Sequence, residues 1–450
     1  MIDDYAFYGC SGLTSLTLPA GITEIGKYAF QGCSELTSIY VYAEKVPKIG
    51  WAAFEGVDAK KCTLYVPMGT YDDYLISDFG DYFENIVEFG AMGIQLEKAG
   101  TLPDRIGSSK KYKITNLKII GEINGTDLKM IREMAGSSSN DGKLSVLDLS
   151  EAKIVEGGDC YYNDNNNYYY TSNDVIGSCA FLNCSRLTSL TLPAGITEIG
   201  DAAFDGCSGL TSLNLPAGIT KIGDRAFLDC SRLTSLNLPA GITEIGFGAF
   251  WYCRGLTSLN LPAGITKIDS YTFDSCSGLT SLTLPAGITE IGIGAFYGCR
   301  GLTSLTLPAG ITSIGEDAFR DCRGLTSLTL PAGITVIDDS AFYGCSGLTS
   351  IYVYAEEVPK INGNAFEGCD AKKCTLYVPM GTRDNYRLSK FGYFENIVEF
   401  DATGIDKTTT STDVEEVARY SVNGQRLSAP TKGLNIVKYS DGSVKKVAIR

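Results

Sequence analysis

A unit of 23 residues, repeated in unbroken register, is the feature that most constrains this chain. The string LTSL opens at Leu187 and returns at Leu210, Leu233, Leu256, Leu279, Leu302 and Leu325, and Leu348 opens an eighth unit as LTSI. A cysteine keeps step from Cys184 through Cys207, Cys230, Cys253, Cys276, Cys299 and Cys322 to Cys345. Two more units stand at the front, with Leu13 and Leu36, Cys10 and Cys33. A period in this range marks a stacked architecture, because one short coil cannot bury its apolar face alone.

Counting from its first leucine, the unit reads LTSLTLPAGITEIGDAAFDGCSG. Leucines at positions 4 and 6 share one face of a strand, and the Ser and Thr or Asn between them face the other way. Proline at position 7 lacks an N–H and ends the strand. Glycine at position 9 supplies a turn, and ITEIG offers a second short extended piece with Ile at positions 10 and 13. The Ala-Phe pair at 17 and 18 sends a phenylalanine inward from a short helical turn. Position 20 usually holds a small residue (Gly206, Asp229, Gly298, Gly344), which suits a left-handed turn. The predicted fold is a β-rich, right-handed parallel repeat solenoid with short helical turns.

A larger duplication encloses the small one. Residues 33–94 return at 345–405, and each copy drops the PAG turn and ends in a proline-interrupted TLYVP strand. Proline and lysine guard an exposed strand edge, so both copies read as C-terminal caps. The chain divides into a first array with its cap over 1–94, an N-terminal cap over 95–175, and a second array with its cap over 176–405. A polar linker over 406–418 and a small β-domain over 419–450 complete it. The N-terminal cap carries strand-like KYKITNLKII, a helix start at 124–127, and KLSVLDLSEAKI as a degenerate first repeat. The insert YYNDNNNYYY at 161–170 reads as a surface loop. In the tail, Asn423-Gly424 and Asp441-Gly442 mark hairpin turns.

The pattern LxxLxLPxxIxxIGxxAFxxC over 1–94 and 176–405 resembles the BspA-like leucine-rich repeat family, cell-surface proteins of the Bacteroidetes and some other bacteria. Units at 39–62 and 351–374 depart from it. The string YSVNGQRLSAPTKGLNIVKYSDGSVKKVAIR resembles the small C-terminal β-domain that serves secreted Bacteroidetes proteins as a type IX sorting signal. The resemblance implies an extracellular or outer-membrane-associated protein that adheres to host or microbial surfaces. Aligning Cys10 with Cys184 sets Met1 on Val175, in mid-coil, and no signal peptide opens the sequence. A cap like 95–175 and a leader are therefore expected upstream.

The chain has no histidine, which removes Ser-His-Asp and Cys-His catalysis and the commonest zinc ligand. A net charge of −14 argues against a nucleic-acid partner, and no run of about eighteen apolar residues is present to span a membrane. Carboxylates are plentiful without forming an acid–base pair, and Asp338-Asp339 lacks EF-hand spacing. No catalytic residue, metal ligand or cofactor is expected. Of fifteen cysteines, eleven (counting Cys369) stand in the core register, where they read as small buried hydrophobes with reduced thiols. Cys62, Cys160, Cys179 and Cys374 lie off that register.

Strand positions 2, 3 and 5 are nearly uniform Thr, Ser and Thr or Asn, a hydroxyl-lined face that suits a repetitive polymer or plain solubility. Variation concentrates at positions 15, 16, 19 and 20. There the unit from Leu233 carries Phe247, Trp251 and Tyr252, followed by Tyr271 and then Ile293 and Tyr297 in the next two coils. Clustered aromatics mark protein or glycan contact, against the alternative that they pack over the turns. Phe247, Trp251, Tyr252, Tyr271 and Tyr297 are the expected binding residues. The expected function is non-enzymatic adhesion or protein–protein interaction with a host or microbial surface protein, through a long multivalent face and by a monomer or weak dimer. The alternative is carbohydrate binding through the aromatic cluster.

Overall fold

The computed structural model describes residues 1–108, 110–137, 142–164, 167–402, 416–421, 426–427, 433–439 and 444–449. They form two compact units, 1–400 and 401–450.

The larger unit is a parallel β-solenoid. Each regular coil lays down a short strand at unit positions 3–5, such as Ser189–Thr191, and a two-residue strand at positions 12–13, such as Glu198–Ile199. Successive coils pair in parallel and in step: Leu190 lies on Leu213 and Leu213 on Leu236, while Ile199 lies on Ile222 and Ile222 on Ile245. Because the unit length never changes between these coils, like stacks on like and the apolar columns are buried, apart from the half-buried Leu215 and Leu261 at position 6. Threonine at position 2 serves this stacking, since the hydroxyl of Thr326 donates to the Thr303 carbonyl at 3.0 Å and that of Thr234 to Thr211 at 3.1 Å. Part of the expected hydroxyl face is thus spent within the protein.

The expected short helical turns do not form on the third edge of the coil, positions 15–21. Its N–H groups alternate instead. Those of Ala180, Leu182 and Cys184 bond back to Gly177, Cys179 and Phe181 of their own coil, while those of Cys179, Phe181 and Asn183 donate to Asp201, Ala203 and Asp205 of the next. Two left-handed residues per coil accompany this path. Position 20 is one, at Asn183, Gly206, Asp229, Tyr252 and Ser275. Position 16 is the other, at Cys179, Ala202, Arg225, Gly248 and Tyr271. The second escaped the sequence reading because its residue types share nothing but their backbone.

Behind this edge nine phenylalanines, from Phe181 to Phe366, stack ring on ring. Their centroids lie 5.1–5.5 Å apart and neighbouring planes within 13°. That is the offset-stacked geometry aromatic pairs favour. Beside them runs a ladder of thiols. The Sγ of Cys276 donates to the Phe250 carbonyl of the preceding coil at 3.1 Å, and the same carbonyl accepts the Cys253 N–H at 3.1 Å. The pattern repeats from Cys207 to Cys345. Cysteine here is a small apolar residue that also supplies a weak donor. All fifteen are free thiols. Ten of the eleven register cysteines are buried and Cys10 is exposed. Burial pushes the Cys184 thiol up to about 12.

Before the second array, strands Met92–Leu96, Asn116–Ile123 and Val146–Ile154 extend the first sheet in parallel, with Leu117 on Leu147 and Leu147 on Leu190. Met92–Leu96 crosses the boundary expected at 94. The helix Gly125–Met134 starts on a capping box, in which Asn124 Oδ1 accepts the Thr126 N–H at 3.1 Å and Asp127 Oδ2 the Asn124 N–H at 2.9 Å. Of the insert expected as a surface loop, residues 161–164 and 167–170 lie in strands. Gly157–Asp164 and Asn167–Thr171 form an antiparallel hairpin; Tyr161 is buried and its hydroxyl donates to the Ser178 carbonyl at 2.7 Å. Polar composition obscured the strand propensity of the tyrosines at 161–162 and 168–170. In both C-terminal caps the TLYVP strand is not the last, since Asn85–Phe89 and Asn396–Phe400 pair outside Thr63–Pro67 and Thr375–Pro379. Two separate apolar clusters result, one within the first array and one running from Ile94 to Ile397.

In the smaller unit, Glu416–Ser421, Arg426–Leu427, Gly433–Tyr439 and Val444–Ile449 form an antiparallel sheet, whose first strand begins inside the expected linker. The turns at Asn423-Gly424 and Asp441-Gly442, and residues 406–415, lie outside the described residues.

The thiol ladder makes a direct prediction. In the native protein a thiol reagent should label Cys10 first and the half-buried Cys160 next, with the ten buried register cysteines reacting only after unfolding. Cys276→Ser should cost about 1–2 kcal/mol in a denaturant titration: the hydroxyl keeps an acceptor in Phe250 but swaps a buried sulfur for a more polar group.

Candidate functional site

The aromatic residues of positions 15, 16, 19 and 20 fall on the turn edge, where the side chains least bound by the repeat are found. Four of the five expected residues come together. The Trp251 ring stacks on Tyr252 at 5.6 Å and on Tyr271 at 5.4 Å, with planes within 19°. Phe247 meets Trp251 edge-on at 6.4 Å and Tyr271 at 5.5 Å. Tyr297 is not in this group. It lies under Arg320, whose guanidinium is 5.8 Å from the Tyr297 ring and 4.6 Å from that of Tyr343. Phe247, Trp251 and Tyr271 are half-buried, so packing over the turns is realised for these three, while Tyr252 and Ile293 stay exposed. Tyr252 also holds φ at +61°, at a position filled in neighbouring coils by Gly, Asn, Asp or Ser. A β-carbon in that region is strained, and such strain persists only where surrounding structure enforces it.

The cluster straddles a weak place in the stack. Between the coils from Leu233 and Leu256 both sheets are interrupted: Ser235–Asn237 ends one sheet and Ser258–Asn260 begins the next, and Glu244–Ile245 and Lys267–Ile268 part in the same way. The turn edge stays continuous, with Gly248, Phe250 and Tyr252 N–H groups donating to Ser270, Thr272 and Asp274 at 2.9–3.0 Å, and beside the first sheet the Thr257 N–H and hydroxyl still reach the Thr234 carbonyl at 3.4 Å. Position 14 is usually glycine because a β-carbon there runs into the preceding coil; at Gly246 it would lie 2.7 Å from the Asp224 nitrogen. Asp269 takes that place at the interrupted junction. Asp338 does so elsewhere without breaking the ladder, so the carboxylate alone does not open it. Phe247 and Trp251, in the coil facing Asp269, distinguish the two.

Beside the aromatic group lies a polar cleft of about 320 Å³, lined by Arg254, Ser275, Ser277, Tyr297, Arg300 and Asp321. Arg254 joins the two features, its guanidinium 5.3 Å from the Tyr252 ring. Asp321 is held by Arg323 at 2.9 and 3.1 Å, whereas Arg300 makes no ion pair among the described residues. Two buried side-chain donors on this row of position 19 have no partner among the described residues, Trp251 Nε1 and Arg320 Nε. Among the described residues no metal-binding group of His, Cys, Asp or Glu is found.

With the coil geometry in hand, the comparison with known families is decisive. The sequence profile of the BspA type leucine rich repeat region matches in six copies, over residues 1–79, 157–280 and 266–386, more than half of the chain. The chain belongs to the BspA-type leucine-rich repeat family. A comparison with curated proteins gave no match. Among solved structures, the T. pallidum leucine rich repeat protein is 34% identical over 36% of this chain and 78% of its own, with a TM-score of 0.35. A leucine-rich repeat protein from Bacteroides ovatus is 22% identical over 89% and 82%, with a TM-score of 0.38. A leucine rich cell surface protein from Faecalibacterium prausnitzii is 22% identical over 86% and 88%, at 0.32. No helix among the described residues is long and apolar enough to cross a membrane.

In this BspA-type array the sequence reading missed Arg254, Asp274, Arg320 and Tyr343. A column-by-column comparison of the units carries the signal: in the units from Leu187 to Leu325 arginine replaces serine at position 22, and aspartate or arginine enters position 19 among Leu and aromatic residues. Asp274 is buried, and burial pushes its carboxyl up to about 6, against the lowering effect of the Ser275 hydroxyl that donates to it at 2.7 Å. Its folded-state value lies above the ordinary value of about 3.9 in an unfolded chain. The folded state therefore holds its proton more tightly, so this contribution to stability is present below about pH 4 and is lost as the pH rises through 6. Asp274→Asn should raise stability at pH 7.5 by about 1–2 kcal/mol and leave it unchanged near pH 4. Thermal melts of both proteins at the two pH values check this. A loss at pH 7.5 would show that the carboxylate is favoured by the fold.

Proposed function

We propose that this BspA-type protein is a non-enzymatic binding protein, displayed at the cell surface or secreted, that engages a protein of a host or microbial surface through the turn edge around Trp251 and Tyr252. One observation carries the reading: Tyr252 stays exposed and left-handed on top of the Trp251–Tyr271 stack, at a junction where the strand ladders of both sheets end. Tyr271, also left-handed, is half-buried in the stack, whereas Tyr252 carries its ring on the outside, where packing returns less for the strain. Trp, Tyr and Arg, here Trp251, Tyr252 and Arg254, are also the residues that dominate protein-binding energetics. Thiols that are buried and held protonated suit display in an oxidising medium, because the reactive thiolate is suppressed. On the same reading the C-terminal sheet is the sorting domain and the protomer acts alone or as a weak dimer.

The second reading, carbohydrate binding by the aromatic cluster, draws on the same side chains. It is less favoured because the rings stack on one another and leave little open face for a sugar. A matrix-protein panel and a glycan array, each run with the native chain and with Trp251→Ala and Tyr252→Gly, test both. The expected result is capture of a protein ligand that either variant weakens by about tenfold or more, as for a hot-spot residue. Retention on the glycan array alone, lost in the variants, would transfer the site to carbohydrate. Binding indifferent to both variants would remove this edge from the function.

A further inference from the structure

The cleft beside Tyr252 narrows the chemistry of the partner. We infer that it receives an acidic segment of the bound protein, with carboxylates paired to Arg254 and Arg300; this rests on the protein-binding reading above. The two arginines stand at position 22 of coils two apart, so about 10 Å separates their backbones at the usual spacing between paired strands. Both are exposed, and neither forms an ion pair among the described residues. Between them Ser275, Ser277 and the Tyr297 ring line the cleft. Charge is biased locally in the same sense. At unit positions 19–23 of the five coils from Leu210 to Gly324 there are five arginines and three aspartates, in a chain whose net charge is −14. Asp321 is already neutralised by Arg323, and the buried Asp274 carboxyl is drawn toward its protonated form. The unpartnered Arg320 Nε and Trp251 Nε1 lie in the same row, leaving donors in excess of acceptors there. Buried donors without partners are rare in native structures and call for an explanation.

A peptide in the polyproline II conformation has three residues per turn and rises about 3.1 Å per residue, so acidic side chains at i and i+3 share one face about 9 Å apart and match the arginine spacing. Arginine binds carboxylates through a planar fork, which gives direction as well as charge. An acidic polysaccharide would supply similar charges. The adjoining Trp251–Tyr252 stack favours a peptide, because it offers an apolar anchor and little open ring face.

The test uses the full chain with poly-L-glutamate, polygalacturonate and heparin as probes, in binding titrations at low and high salt. Poly-L-glutamate should bind best, and its binding should weaken as salt screens the exposed charges. Arg254→Glu/Arg300→Glu should reduce that binding by about tenfold or more, since two charge-assisted contacts become repulsive. Lys372→Glu/Lys373→Glu, an equal change of net charge on the second C-terminal cap, should change it less than about twofold if the cleft is the site. Unchanged melting curves for both variants would show that folding is intact. Stronger binding of polygalacturonate or heparin, lost in the arginine variant, would overturn the acidic-protein assignment. So would the absence of any polyanion binding, or equal losses in the two charge variants. If the arginine variant still captures the panel protein while Trp251→Ala does not, the acidic-segment inference falls and the aromatic edge stands. If neither change matters to that capture, both fall.

Discussion

On the turn edge every second peptide N–H bonds inside its own coil and the intervening ones reach the next, and this alternation sets the distance between coils for the whole array. It forces two residues per unit into the left-handed region, and it brings each phenylalanine ring to its stacking distance from the last. The register cysteine follows from the same geometry. Its thiol reaches the one carbonyl that already accepts an N–H from its own coil, so a residue both small and weakly donating fits there. Hydrophobic burial supplies the driving force, but the peptide ladder decides which side chain meets which.

Much of this was legible in the residues. The period alone required stacking, and the strand faces, the proline stops and the inward phenylalanine follow from it. Position 20 announced its left-handed turn through Gly206 and Gly298. Position 16 did not, because Cys179, Arg225 and Tyr271 adopt the same backbone with no shared chemistry. The helical turns failed for a related reason. A helix would satisfy its N–H groups internally, whereas here half of those on the edge are claimed by the next coil. The tyrosine-rich insert was misjudged on composition, although Tyr161 supplies both a buried ring and a hydroxyl donor.

The candidate site was half legible. Departures from the repeat located Phe247, Trp251, Tyr252 and Tyr271, which do meet. Tyr297 was grouped with them on adjacency in sequence, yet an intervening coil carries Asp274 at the matching position and separates it. Pairings between distant columns, such as Arg254 over Tyr252 or Arg320 between Tyr297 and Tyr343, depend on side-chain reach across coils and leave no periodic trace. The proposed site falls where uniformity lapses, since regular columns are already committed to one another.

The paired interruption of both sheets has a mechanical consequence. A solenoid whose neighbours are coupled by three ladders resists bending as a beam does, and a junction where one ladder is lost and another is thinned to the Thr257–Thr234 contact leans on the third. Load applied along the array would concentrate between the coils from Leu233 and Leu256, where the turn edge acts as the spine and the other faces carry fewer hydrogen bonds. A ligand held there, as proposed above, would sit on the axis of flexure, where the surface changes least as the rest of the array bends.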